Sequence, residues 1–269
     1  MTSRRISGNR TAEDIVREHY ERLKSEIRSP QEPDSVSTPS IDPIQPQTLG
    51  GFYQIDKTKI IPATTQEYRT FLKEAGYMDL DAGNGLLVAK SVLKIDQNVR
   101  TVARTNGFPL NGNDGDYVTN INHSNARKLT ACFEGKLLTT GLMYKVFIPF
   151  IKDLAGQGNA EAQATLDEMV NTKAEWLEDL ILNKNKVKIG NKNKQLTLLQ
   201  TDGRFDRADM HELGYPANVK QNGEFYYWFP RDNERAAIRD GDSDLDLNLG
   251  GGPSVEVGGL GVRVAKNLP

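Results

Sequence analysis

The chain has 269 residues, of which 37% are hydrophobic and 26% charged, a composition that suits a globular protein with one large core or two modest ones. Its 34 basic and 36 acidic side chains give a net charge of −2, so no global field favours nucleic acid or an anionic membrane as a partner. Because Cys132 is the single cysteine, an internal disulfide and a cysteine-rich metal site are excluded.

The N-terminus carries Arg4 and Arg5 without an apolar run behind them. No window of the sequence approaches the ~18 consecutive apolar residues that a membrane-spanning helix needs. The sequence therefore predicts a soluble, cytoplasmic protein that binds neither membrane nor nucleic acid, with association with a virion left open.

Residues 1–28 are predicted to form an N-terminal helical extension. Within it, residues 11–28 have apolar side chains at helical spacing, and Thr11 with Asp14 forms a capping pair. The apolar stripe is narrow, so a frayed extension without a role is preferred slightly over an element that oligomerises or tethers the protein. Residues 29–48 contain five prolines among Ser, Gln and Asp, which is typical of a flexible linker.

A compact domain is expected from residue 49 to residue 269. Its first predicted elements are a short helix capped by Thr64 or Thr65 and ended by Gly76, and then short strands at Leu86–Ala89 and at 99–103. The segment between these two strands could also be helical.

Residues 106–125 are rich in Asn, Gly and Asp, which predicts a long loop or a set of tight turns. Two longer helices are expected at 136–154 and 159–182, joined by Gly156-Gln157-Gly158 and packed as neighbours.

The amino-acid composition changes after residue 182. Short segments rich in Lys and Asn, at 187–189 and 196–199, predict a β-hairpin with Gly190 and Asn191 in its turn. Residues 206–213 are expected to form one or two helical turns, and residues from Phe225 onward to form strands and turns. Since helices come first and short strands later, the predicted fold class is α+β.

Four aspartates near the C-terminus have the spacing with which an EF-hand loop begins to surround Ca²⁺: Asp240, Asp242, Asp244 and Asp246. However, Leu245 stands where that loop needs glycine, and Gly251 stands where it needs a bidentate Glu. The preferred interpretation is a strand, because apolar and polar residues alternate strictly, although a cation shared by the carboxylates stays open. The strand would turn Leu245, Leu247 and Leu249 to the core and Asp244, Asp246 and Asn248 to solvent or ligand.

Residues 225–229 are all aromatic. In a strand, Phe225, Tyr227 and Phe229 share one face, while Tyr226 and Trp228 share the other. One face is expected in the core, and the other could form a ligand wall. Core packing is preferred for Trp228, and Phe229 is left open because a proline follows it.

No catalytic or metal-binding pattern is evident. None of His19, His123 and His211 has another His or Cys at ligand spacing, and neither a phosphate-binding loop nor a nucleophile elbow can be traced. Cys132 has apolar neighbours and is predicted to be buried rather than reactive. The chain is therefore expected to hold no metal or cofactor and to be no enzyme.

Several segments together carry a resemblance: Gly135-Lys136-Leu137-Leu138-Thr139, Lys173-Ala174-Glu175-Trp176, Tyr227-Trp228, Arg235-Ala236-Ala237-Ile238-Arg239 and Gly259-Leu260-Gly261-Val262-Arg263-Val264. They resemble the C-type-lectin-like domains of the formylglycine-generating-enzyme type, in which the first two segments would start helices and the last would close the fold. The resemblance implies such a domain over residues 49–269, with two longer helices and short antiparallel strands. Those enzymes rely on a cysteine pair, which a single cysteine cannot supply.

Within this class, the chain is similar to the variable proteins of diversity-generating retroelements, some of them archaeal or viral, whose C-terminal codons are mutagenised to vary a ligand-binding face. The similarity implies a non-catalytic binding protein with its binding region at residues 225–264 and a macromolecular ligand, with protein preferred. The implied ligand-binding residues are Phe229, Arg231, Asp232, Asn233, Asp240, Gly241, Asp244, Asp246, Asn248, Gly250, Gly251, Val255, Glu256 and Val257.

Two alternatives remain open. One is an enzyme related to the sulfatase-modifying class with altered chemistry, which would need titratable groups clustered around His123, His211 or Cys132. The other is a structural component of a virion or assembly that oligomerises through residues 11–28.

Overall fold

The computed structural model describes residues 65–80, 85–113, 115–171, 174–240, 245–254 and 259–268, which all belong to one compact unit. These residues contain five α-helices and eleven β-strands, so the predicted α+β class is confirmed. The predicted helix at 11–28 and the linker at 29–48 lie outside the described residues.

A three-stranded antiparallel sheet joins the two ends of the described chain. Helix α1 (Thr65–Glu74) comes first, and Gly76, with φ 80°, turns the chain out of it as the sequence predicted. Strands β1 (Tyr77–Asp79) and β2 (Leu86–Ala89) then pair with each other, and the predicted strand at this position is confirmed. The last strand of the chain, β11 (Ala265–Asn267), pairs with the free edge of β2.

Helix α2 (Gln97–Asn106) occupies the residues where a strand was expected at 99–103, so that prediction was wrong. Its ends explain the difference. The Asp96 carboxylate accepts a hydrogen bond from the amide of Val99 at 2.7 Å, and Gly107 ends the helix at φ 69°. Val99 and Ala103 are both buried, and their spacing of four residues is the period of a helix face.

Helix α3 (His123–Cys132) begins with Asn122 as its capping residue. The loop predicted at 106–125 therefore ends slightly earlier than expected, where this helix begins. The next helix was predicted to start at residue 136, but a π-helical turn at Leu142–Phe147 leads into α4 (Ile148–Gly156). Pro149 has no N–H to donate and would clash with the preceding turn of a regular helix. The wider π turn directly before it provides a different backbone path.

The second of the two predicted longer helices was wrong beyond residue 171. Helix α5 (Ala160–Asn171) packs against α4 as expected, but Ala174–Asn183 forms β3, the strand on which the large sheet is centred. The six residues from Ala174 to Asp179 are all buried. A strand buried on both faces lacks the two-residue alternation of a half-exposed strand, so periodicity alone could not separate it from a buried helix.

The large sheet has eight strands in the order β5-β4-β3-β8-β9-β7-β6, and β10 pairs with the start of β3. Only the β7–β9 and β10–β3 pairs among these strands are parallel. The predicted hairpin with Gly190 and Asn191 in its turn is confirmed, although its second strand comes earlier than expected. The strand bounds are β4 Lys186–Ile189, β5 Lys192–Gln195, β6 Gly203–Phe205, β7 Phe225–Trp228, β8 Arg235–Asp240, β9 Leu247–Gly251 and β10 Leu260–Gly261.

A main core contains residues of the π turn, α4, α5 and the inner side of the sheet, with Phe147, Tyr227 and Leu247 among its fully buried side chains. A short 3₁₀ helix, Arg207–Asp209, lies in the segment predicted to form helical turns. Within the described ranges, no helix is long and apolar enough to cross a membrane.

Candidate functional site

A surface cleft of about 190 Å³ lies beside the ends of β7 and β9, and we call it the C-terminal cleft. These two strands run parallel, with Tyr227 opposite Leu247 and Trp228 opposite Asn248. Side chains on directly paired residues lie on the same face of a sheet, so the first pair is buried in the core and the second faces outward. The cleft is lined by Asp202, Trp228, Phe229, Arg231, Asp232, Arg235, Asn248 and Gly250.

The aromatic strand β7 supplies one wall of the C-terminal cleft. Phe225 and Tyr227 are fully buried, whereas Tyr226 is half-buried and Trp228 is 41% exposed. The predicted alternation is thus confirmed, but the prediction that Trp228 packs in the core was wrong, because it lies on the outer face of the strand. The centre of its ring lies 4.8 Å from the centre of the Tyr226 ring, so the two aromatic side chains on the outer face contact each other.

Asp202 fixes the loop that follows β7. One oxygen of its carboxylate accepts a hydrogen bond from the amide of Phe229 at 2.9 Å, and the other lies 3.5 Å from the guanidinium of Arg231. That guanidinium also lies 5.7 Å from the centre of the Phe229 ring. Farther along the loop, Asp232 pairs with Arg235. The charged groups of the cleft are therefore arranged as two mutually neutralising pairs.

Strand β9 supplies the opposite wall. The Asn248 side-chain oxygen accepts a hydrogen bond from the amide of Gly250 at 2.8 Å, while Leu247 and Leu249 point into the core. Leu245 is also buried, as predicted, although its φ of 54° places it before the strand begins.

The structure brings five of the implied ligand-binding residues together in the C-terminal cleft: Phe229, Arg231, Asp232, Asn248 and Gly250. Asn233 belongs to the same loop and lines a neighbouring cleft. Five others lie outside the described residues: Gly241, Asp244, Val255, Glu256 and Val257.

The remaining three lie apart from the cleft lining. Asp246 is half-buried: its carboxylate accepts a hydrogen bond from the amide of Tyr226 at 3.1 Å, and its carbonyl accepts one from the Tyr144 hydroxyl at 2.5 Å. Asp240 donates its amide to the same carbonyl at 2.7 Å. A Cβ on Gly251 would lie 2.4 Å from Cδ1 of Ile238 and 3.0 Å from the carbonyl oxygen of Ala236, so a larger residue here would force the Ile238 side chain to move.

Three cleft residues were missed as binding candidates from the sequence: Asp202, Trp228 and Arg235. The alternation of the aromatic run already gave Trp228 a possible outer position. No local signal in the sequence connects Asp202 with residue 229, which lies 27 positions later.

The groups considered for catalysis have separate environments. His123 is buried; its Nε2 donates to the carbonyl of Leu177 at 2.8 Å, and burial lowers its pKa to about 4. Cys132 is exposed, so the prediction of a buried thiol was wrong, and partial desolvation raises the pKa of that thiol. His211 lies half-exposed in a turn. Among the described residues, no group of three or more His, Cys, Asp or Glu side chains could hold a metal ion.

A buried ionic cluster is centred on Glu175 of β3. Arg239 of β8 donates to it at 3.0 Å, and Arg263, after β10, donates to both its oxygens at 2.9 and 3.0 Å. Burial alone would raise the pKa of Glu175, but the two guanidinium groups outweigh burial and hold that pKa below its usual value. Glu168 of α5 lies 3.3 Å from Arg263 and completes the cluster.

Comparisons of the chain with protein-family models, with curated proteins and with solved structures gave no significant match. The chemistry available to the protein is therefore inferred from the C-terminal cleft and from the scaffold that carries it.

Proposed function

We propose that the protein is a non-catalytic ligand-binding protein that displays a variable C-terminal surface on a C-type-lectin-like scaffold, as the target protein of a diversity-generating retroelement. One observation carries this proposal. Residues from two separate segments, 229–232 and 248–250, surround a single cleft beside the exposed Trp228. Both segments belong to the region whose codons are varied in the proteins that this chain resembles.

The buried ionic cluster supports the choice of scaffold. Glu175, Arg239 and Arg263 come from three of the segments that carry the resemblance, and their side chains meet in one hydrogen-bonded group. In the proteins that this chain resembles, the C-terminal segment closes the fold, and the pairing of β11 with β2 is consistent with that role. One segment departs from the resemblance, since residues around Trp176 begin β3 and not a helix.

The alternation along β7 and β9 supports a surface that can vary. Tyr227 and Leu247 contribute to the core, while their outward neighbours Trp228 and Asn248 can change without removing a core side chain. Trp and Arg are also the residue types that dominate the binding energy of protein interfaces. A macromolecular ligand, with protein as the preferred class, fits this composition.

The decisive test is genomic. We expect a near-copy of the DNA that encodes residues 225–264 close to a reverse-transcriptase gene, with differences confined to positions where the copy has adenine. Differences should fall in the codons of Arg231, Asp232 and Asn248 and spare those of Leu247 and Leu249. The absence of both the copy and the reverse transcriptase, or differences spread evenly over core and surface codons, would refute the proposal.

A further inference from the structure

A larger cleft, of about 510 Å³, lies next to the C-terminal cleft, and we call it the hairpin cleft. The segment entering the β4–β5 hairpin forms one side, and the loop at 230–233 forms the other. Arg231 and Asp232 border both clefts. The hairpin cleft is lined by Asn183, Lys184, Asn185, Lys186, Gln195, Gln200, Pro230, Arg231, Asp232 and Asn233.

The hairpin carries an excess of positive charge. The hairpin and the segment entering it contain five lysines, and neither Asp nor Glu occurs between residues 180 and 201. Lys184 and Lys186 line the hairpin cleft, and neither forms an ion pair with a carboxylate of the described chain. The charged groups on the other side of the cleft are already paired, Arg231 with Asp202 and Asp232 with Arg235. The two lysines are therefore the uncompensated charges of this cleft.

The other polar groups of the hairpin cleft are mostly amides. The side chains of Asn185, Gln195 and Asn233 have no hydrogen-bond partner in the described part of the protein, whereas those of Asn183 and Gln200 bond to nearby backbone. Each free amide offers both donors and an acceptor, which is the combination that pairs with a hydroxyl group.

The lining also argues against two other classes of anion. None of the ten residues is aromatic, so the hairpin cleft has no platform on which nucleic-acid bases could stack. Its one apolar residue, Pro230, is buried, so a peptide would find no apolar pocket for an anchoring side chain.

We propose that the hairpin cleft binds an acidic oligosaccharide, whose carboxylate or sulfate groups pair with Lys184 and Lys186 and whose hydroxyl groups bond to the free amides. Ammonium groups form strong charge-assisted hydrogen bonds with such anions. This binding does not depend on the proposed function, because the two charges that carry it, Lys184 and Lys186, lie outside the residues proposed to vary.

The test is calorimetric titration of the full chain with hexagalacturonate and, separately, with a heparin-derived hexasaccharide, which distinguish carboxylate from sulfate as the anion. The Lys184→Gln/Lys186→Gln variant is expected to bind the preferred sugar about tenfold or more weakly. The matched control is Lys192→Gln/Lys194→Gln, which removes the same charge from exposed residues of the same hairpin that do not line the cleft. The control should stay within about twofold of the unmodified chain.

Unchanged melting temperatures in both variants will show that the comparison concerns binding. Equal weakening by the two variants would overturn the proposal, because it would mean diffuse attraction to the whole hairpin. Binding of hexaglutamate or of a single-stranded DNA dodecamer as tightly as the preferred sugar would also overturn it, as would the failure of both sugars to bind.

Discussion

Arg263 binds Glu175 through two hydrogen bonds, from Nε to Oε2 at 3.0 Å and from Nη2 to Oε1 at 2.9 Å. The two residues are 88 positions apart and both are buried. The guanidinium also donates to the carbonyl of Ala89 at 2.8 Å. A single side chain thus connects the small sheet with the central strand of the large one.

Glu175→Gln should destabilise the protein strongly, because it leaves Arg239 and Arg263 buried without their shared counter-charge. We expect a loss of about 3–5 kcal/mol in the free energy of unfolding, measured by urea titration. The matched control is Glu161→Gln, which breaks the exposed pair with Lys90 and should cost less than about 1 kcal/mol. Similar losses in the two variants would contradict a central role for the cluster.

Asp179 should make the folded state less stable as pH rises. Burial raises its pKa to about 6, even though the Thr140 amide and the Tyr215 hydroxyl donate to it. As pH rises, the folded protein therefore retains this proton after the unfolded chain has lost it. The contribution of Asp179 to the free energy of unfolding falls between about pH 4 and pH 6. Asp179→Asn keeps an acceptor oxygen, and its stability relative to the unmodified chain should rise by about 3 kcal/mol across that window. A constant difference from pH 4 to pH 7 would show that the Asp179 pKa is not raised.

His123 should have the opposite effect. Its pKa is lowered to about 4, so the unfolded chain takes up a proton first as pH falls below 6.5, and stability is lost between pH 6.5 and 4. For His123→Gln, the stability relative to the unmodified chain should therefore fall by about 3 kcal/mol as pH rises through this window. Urea titrations at several pH values measure it. Parallel pH profiles for this variant and the unmodified chain would contradict the prediction.

Two features with a clear pattern over neighbouring residues could be predicted from the sequence. The Gly190-Asn191 turn is visible in the sequence, and so is the alternation that buries Leu247 and Leu249. The central strand was mistaken for a helix because its burial on both faces comes from tertiary packing. The helix at Val99 was mistaken for a strand because its capping by Asp96 was not recognised.

The C-terminal cleft depends on contacts that no local pattern encodes. Asp202, in the connection between β5 and β6, accepts the hydrogen bond from the amide of Phe229. Trp228 lies opposite Asn248 because of the register in which β7 and β9 pair. The resemblance supplied five residues of the cleft, and the physical reason for their proximity is the register of these two strands.

The two tryptophans offer a direct optical test of which face of β7 is displayed. Trp176 is 1% exposed and donates its indole N–H to the carbonyl of Ile121 at 2.8 Å, whereas Trp228 is 41% exposed. Trp228→Phe leaves only the buried indole, so its fluorescence should be blue-shifted and resist quenching by acrylamide. Trp176→Phe leaves the exposed one, which should be quenched readily at longer wavelength. Blue-shifted and poorly quenched emission from Trp176→Phe, with both variants checked for folding by circular dichroism, would mean that Trp228 is a core residue.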